Sequence, residues 1–163
     1  MNIKEEMIKK AQQARSASRL IANLSAAEKN AVLKDMAKAL VSSQAAILKA
    51  NVLDLKNARK AGLKSSFIER LMLDKQRIRA MADSLLQVAK LSDPIGTVIK
   101  SWKVKNGLFI RKERCAIGVI AIIYESRPNV TSDCIGLCFK SGNSVILRGG
   151  SESINSNLAI YKA

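Results

Sequence analysis

The run Ile117-Gly-Val-Ile-Ala-Ile-Ile123 constrains this chain more than any other segment. An unbroken apolar run of that length is the pattern of a strand buried on both faces, as in a parallel sheet. Tyr124 to Asn129 then forms a polar turn with Pro128 placed to open a helix. That helix runs to about Lys140, where Ser141-Gly142-Asn143 closes it. Ser144 to Leu147 reads as the next strand, and Arg148-Gly-Gly-Ser-Glu152 as a glycine-containing turn into a further helix. Strand, helix, strand, helix is a βαβα order, which requires a right-handed crossover and a parallel sheet larger than two strands.

The first ninety residues read as helices. Ser25-Ala-Ala-Glu28 is a capping box, and apolar residues recur near the helical period from Leu33 through Met36, Leu40, Ile47 and Leu55. Lys60-Ala-Gly62 supplies a basic last turn and a glycine stop, so one long helix is expected here. A second helix follows Asp74 as its cap, with Ile78, Met81, Ala82, Leu85 and Ala89 on one stripe, and ends before Asp93-Pro94. From Pro94 the period shortens to two. Asn106-Gly107 lies between two alternating runs, which predicts a β-hairpin with a type I′ turn. The predicted segments are therefore helical over 1–93, a hairpin over 94–115 and a βαβα unit over 116–163.

Composition narrows the chemistry. Histidine is absent, which removes Ser-His and Cys-His catalytic pairs and histidine metal sites from this chain. Three cysteines, Cys115, Cys134 and Cys138, lack the C-x-x-C spacing of a zinc or redox site; all three read as packing residues in a reduced, cytoplasmic compartment. No apolar stretch is long enough for a membrane span. The net charge of +15 from 28 basic and 13 acidic residues suits a nucleic-acid binder. The excess is spread along the chain, however, and six aromatic residues (three Phe, two Tyr, one Trp) are too few for a stacking platform. No nucleic-acid, membrane or metal partner is expected, and a basic nucleic-acid-binding protein remains an alternative resting on charge alone.

Ligands of open parallel sheets sit beyond the carboxyl ends of the strands, so the turns at 124–129 and 148–152 are the candidate sites. Arg148, Ser151 and Glu152 can hold a nucleotide ribose and its phosphate, with Gly149 and Gly150 letting a ligand approach the backbone. A plain connection between strand and helix is the competing reading. Likewise Asn129 can cap the helix it precedes, Arg127 can pair with Glu125 or Asp133, and Arg148 can be a solvated strand end.

Taken together, Ile117 to Thr131 with its Tyr124-Glu-Ser-Arg-Pro-Asn-Val-Thr131 string, Leu137 to Asn143 and Val145 to Glu152 closely resemble the gamma-glutamyl phosphate reductases (glutamate-5-semialdehyde dehydrogenases) of the aldehyde dehydrogenase superfamily. Ala50-Asn-x-x-Asp-Leu55, Gly62-Leu63, Asp93-Pro-Ile-Gly96 and Asn106-Gly-Leu108 also fall where that family has them. The resemblance implies an α/β fold with N-terminal helices, a β-hairpin and the first βαβα of a Rossmann-like, NADP-binding domain. It implies NADPH-dependent reduction of L-glutamyl 5-phosphate to L-glutamate 5-semialdehyde in proline biosynthesis, in an enzyme that is a homo-oligomer at full length. It makes Asn129 an oxyanion-holding catalytic residue, places Arg148, Ser151 and Glu152 at the cofactor ribose, and puts Tyr124, Ser126 and Arg127 beside the substrate. The family's nucleophilic cysteine lies downstream of every matched segment, so the chain is expected to be an N-terminal portion, inactive alone. A non-catalytic binding or assembly module is the other alternative.

Overall fold

The computed structural model describes residues 2–163. Five helices lead: α1 (Ile3–Ile21), α2 (Ala26–Ser42), α3 (Gln44–Lys60), α4 (Ser65–Leu71) and α5 (Lys75–Lys90). A hairpin of β1 (Val98–Lys103) and β2 (Phe109–Glu113) follows, then β3 (Val119–Ile123), α6 (Asn129–Lys140), β4 (Ser144–Arg148), a short 3-10 turn (Ser151–Ser153) and α7 (Ile154–Lys162). The architecture is α/β, as expected.

Local chemistry sets most boundaries. The Ser25–Glu28 capping box forms in both directions: Ser25 Oγ accepts from the Glu28 N–H at 3.2 Å, and the Glu28 carboxylate accepts from the Ser25 N–H at 2.8 Å. Asp74 caps α5 by accepting from the Arg77 N–H at 2.7 Å. The single helix expected from Ser25 to Lys60 is instead two, broken at Ser43 (φ −85°, ψ 4°). Two adjacent serines, poor helix formers, permit the break; it lets Leu33, Ala37 and Leu40 of α2 and Ile47 of α3 enter one core with Ile78, Met81, Leu85 and Val88 of α5. Gly136 brings α6 against this core, because a Cβ there would lie 2.5 Å from Leu85 Cδ2.

The hairpin forms with the expected antiparallel pairing, Trp102 opposite Ile110. Its turn differs from the expected type I′. The Gly107 N–H donates to Val104 O at 2.9 Å, and among the described residues no non-glycine has a positive φ. Only Gly107 (φ +89°) does so in this turn, which gives a type I turn followed by a glycine bulge.

The βαβ unit is parallel, with Val119 opposite Ser144 and Ile123 opposite Arg148. Its closing glycine, Gly142, takes φ +74° after α6, and Asn143 Oδ1 accepts from the Gly118 N–H at 2.8 Å across the two strand starts. The expectation that the Ile117–Ile123 run is buried on both faces is not met: Ile117, just before β3, is 82% exposed and Ile123, at its end, 84%. Among the described residues this sheet has only two strands, so nothing covers the outer side of β3.

Two buried polar clusters tie the helical segment to the βαβ unit. The Lys29 ammonium, 1% exposed, meets Asp93 at 2.7 Å, while Lys140, also buried, donates to Asn30 Oδ1 and to Ala89 O. In the second, Asn51 of α3 donates to Leu71 O and accepts from the Leu73 N–H, and Asp54 crosses to α7.

Candidate functional site

Parallel pairing of β3 with β4 brings the 124–129 and 148–152 turns to one end of the sheet, joined first by a Tyr124 N–H to Arg148 O bond of 3.1 Å. A second link is tighter. Ser126 Oγ, in a 6% exposed residue, donates to Glu152 Oε2 at 2.6 Å. That hydroxyl is the main reason the Glu152 carboxyl sits below the usual carboxylate range. Thus Ser126 and Glu152, which the family resemblance places at different ligands, touch each other.

The glycine pair has a definite occupant. A Cβ on Gly150 would lie 1.9 Å from Ser126 Oγ, and one on Gly149 would lie 2.3 Å from Asn157 Nδ2 and 3.0 Å from the Tyr124 ring. The space expected to admit a ligand at those Cα atoms is filled by protein side chains. The Tyr124 hydroxyl is likewise engaged, sharing a 2.7 Å hydrogen bond with Thr131 Oγ1, which reaches Asn157 Oδ1 at 3.2 Å. Burial pushes the Tyr124 phenol up.

Asn129 opens α6 without capping it. Its Nδ2 donates to Asp133 Oδ2 at 3.3 Å, and Ser84 Oγ of α5 donates to the other oxygen at 3.1 Å. A carboxylate only accepts, so this contact fixes which end of the Asn129 amide faces inward, and the second N–H remains able to donate to an oxyanion. Asn129 lines a depression of about 330 Å³ with Arg70, Arg77, Ser84 and Asp133. Arg77 is committed to the carbonyls of Glu69 and Met72 at 2.7 Å each. Arg127 pairs with Glu125 at 3.6 Å rather than with Asp133, and Arg70 approaches the same Glu125 oxygen at 3.7 Å. Arg70 also lines the neighbouring depression of about 370 Å³ with Glu125, Ser126 and Glu152. No local sequence signal marks Arg70 or Ser84, because they arrive from helices more than forty residues upstream.

Arg148 is exposed and donates only to its neighbour's carbonyl, Gly149 O; Ser151 is exposed as well. The N-terminus of α7 is not an anion site. Asp54 fills it, accepting from the Asn155 N–H at 3.2 Å and the Ser156 N–H at 2.8 Å. The exposed Arg148 guanidinium, the Ser151 hydroxyl and the Glu152 carboxylate, which Ser126, Ser151 and the Arg148 charge together hold ionised, have the chemistry that a ribose and its phosphate accept.

The thiols divide two to one. Burial pushes Cys134 and Cys138 up, away from thiolate character, whereas Cys115 is exposed in the segment between β2 and β3 and is not the packing residue expected. Among the described residues no three His, Cys, Asp or Glu side chains gather as a metal site, and no helix is long and apolar enough to cross a membrane.

No family model matches the chain. It is 52% identical over all 163 residues to a gamma-glutamyl phosphate reductase of Clostridium kluyveri, of which it spans 39%. Its fold superposes on the gamma-glutamyl phosphate reductase of Thermotoga maritima with a TM-score of 0.94 and 44% identity, over 96% of this chain and 38% of that one. A probable aldehyde dehydrogenase from Listeria monocytogenes shares the fold at TM-score 0.70 and 14% identity, over 97% of this chain and 32% of that one.

Proposed function

The chain belongs to the gamma-glutamyl phosphate reductase family, of whose curated members it spans about two fifths, and from that premise we propose that it forms the N-terminal part of an NADPH-dependent enzyme reducing L-glutamyl 5-phosphate to L-glutamate 5-semialdehyde, a step of proline biosynthesis. The carrying observation is the 52% identity to a protein of that name along the whole chain. The strand-end geometry adds to it. Bound NADPH supplies hydride; this chain's residues bind and orient. Arg148 meets the 2′-phosphate as a charged fork, and Glu152 and Ser151 meet ribose hydroxyls. Asn129, its amide oriented by Asp133, donates to the oxyanion that forms when the acyl carbon is attacked. Arg70 and Arg127, both half exposed and sharing Glu125, supply positive charge for the acidic substrate. The nucleophile is not among these residues, since burial pushes two of the three thiols up and the third, exposed Cys115, does not line Asn129's depression.

The chain alone is therefore inactive, and the full-length protein is a cytoplasmic homo-oligomer to which the exposed hairpin, with Trp102 and Phe109, contributes. The test is phosphate-dependent oxidation of glutamate 5-semialdehyde by the full-length protein. Arg148→Ala should weaken NADPH but not NADH by about ten- to a hundredfold in Kd, as for loss of a charged hydrogen bond. Asn129→Ala should lower kcat by about a hundredfold with nucleotide binding intact. Equal losses of NADPH and NADH in the Arg148 variant would refute its assignment.

A further inference from the structure

The Ser126–Glu152 contact has a consequence for nucleotide recognition, and it rests on the reading of the 148–152 turn as the ribose end of the site. Three groups from two turns meet there: the Ser126 hydroxyl, the Glu152 carboxylate and the bare Cα of Gly150. Ser126 is 6% exposed, so its hydroxyl is poorly placed to reach a substrate, and its one donated bond is spent on Glu152. Glu152 is itself exposed and, without that bond, would sample several rotamers in water. Gly150 closes the arrangement from the third side, because any side chain there would displace the hydroxyl.

We propose that Ser126 is a positioning residue of the nucleotide turn and not a substrate contact: it holds one Glu152 oxygen so that the other is presented to a ribose hydroxyl. The lowered Glu152 carboxyl agrees with this, since a charged acceptor is what a hydroxyl donor favours. The ribose hydroxyl concerned is one that NADPH and NADH share, so the effect is the same for both. In this it differs from the effect of Arg148, which reads the 2′-phosphate. Freeing Glu152 makes binding re-order one side chain, a cost equivalent to about three- to tenfold in Kd.

The experiment is equilibrium binding of NADPH and of NADH to the full-length protein, followed by nicotinamide fluorescence, together with KM for the acyl phosphate. Ser126→Ala should raise both dissociation constants by about three- to tenfold and leave that KM unchanged. In a Glu152→Ala background, Ser126→Ala should add nothing, because the group it positions is gone. A raised KM with unchanged nucleotide binding would overturn the proposal and return Ser126 to the substrate. Unchanged dissociation constants in Ser126→Ala, beside a wild type that binds, would overturn it as well. A wild type that binds neither nucleotide would overturn the nucleotide reading and this inference with it. The thermal melts of both single variants serve as the folding control, and a loss of nucleotide binding that follows a lost melt in Ser126→Ala but not in Glu152→Ala would count against a positioning role.

Discussion

Removing the Asp54 carboxylate should cost the chain about 3 kcal/mol. Asp54 is 1% exposed on α3, yet it serves α7 as a cap from a hundred residues away. Its Oδ1 accepts from the Asn155 N–H (3.2 Å) and Nδ2 (2.7 Å), and its Oδ2 from the Ser156 N–H (2.8 Å) and Oγ (2.6 Å). Asp54→Ala leaves two fully buried Ser156 donors without an acceptor, at roughly 1 to 3 kcal/mol each. Removing a buried carboxylate returns part of that through its relieved desolvation, which places the net in the lower half of the range. With a urea slope of about 2 kcal/mol/M, the midpoint should fall by about 1.5 M at unchanged slope, followed by far-ultraviolet circular dichroism of the 163-residue chain. Asp54→Asn keeps one acceptor and should lose roughly half as much. A shift below about 0.5 M for the alanine variant, or an asparagine variant worse than alanine, would refute the capping argument.

Asp93→Asn should also destabilise strongly, by about 3 to 5 kcal/mol, because it leaves the Lys29 ammonium buried without its counter-ion; a urea titration measures it. Burial by itself would raise the Asp93 carboxyl, but the Lys29 hydrogen bond, the Ile95 N–H and the positive charges of Lys29 and Lys140 together hold it below the usual carboxylate range. Its contribution is therefore complete above the unfolded-state value and fades as pH falls towards the lower folded value, so the acid limb of stability against pH should flatten in Lys29→Met. Gly136→Ala should cost about 1 to 3 kcal/mol by driving a methyl into Leu85, and much of that should return in the double variant with Leu85→Ala, read as a non-additive thermal shift. In a thiol titration of the folded chain, exposed Cys115 should react in a fast phase and Cys134 and Cys138 only slowly. Two or three equally fast thiols would contradict their burial.

The features that the sequence determined are those whose causes lie within a few residues of one another. Ser25 and Glu28 share one helical turn, Asp74 faces the N–H three residues on, and Gly142 ends α6 because the backbone there needs a positive φ. The Tyr124-to-Thr131 string and the Arg148-to-Glu152 turn were legible for the same reason, as two strand-to-helix turns of a parallel unit, and a resemblance to one family was readable from them. Tertiary structure decided what those residues touch. The apolar stripe from Leu33 to Leu55 does not reveal that the helix breaks at Ser43, since the break answers to where α5 lies. Asn106-Gly107 permits a type I′ turn, and the choice of a glycine bulge belongs to the twist of the paired strands. Asp54 as the cap of α7, Ser126 as the partner of Glu152, and Asp133 with Ser84 behind Asn129 are contacts between segments 26 to 102 residues apart or between different helices. No local rule encodes such pairs, because a side chain's hydrogen bond is set by which surfaces the fold brings within 3 Å, and only packing the helices against the strands does that.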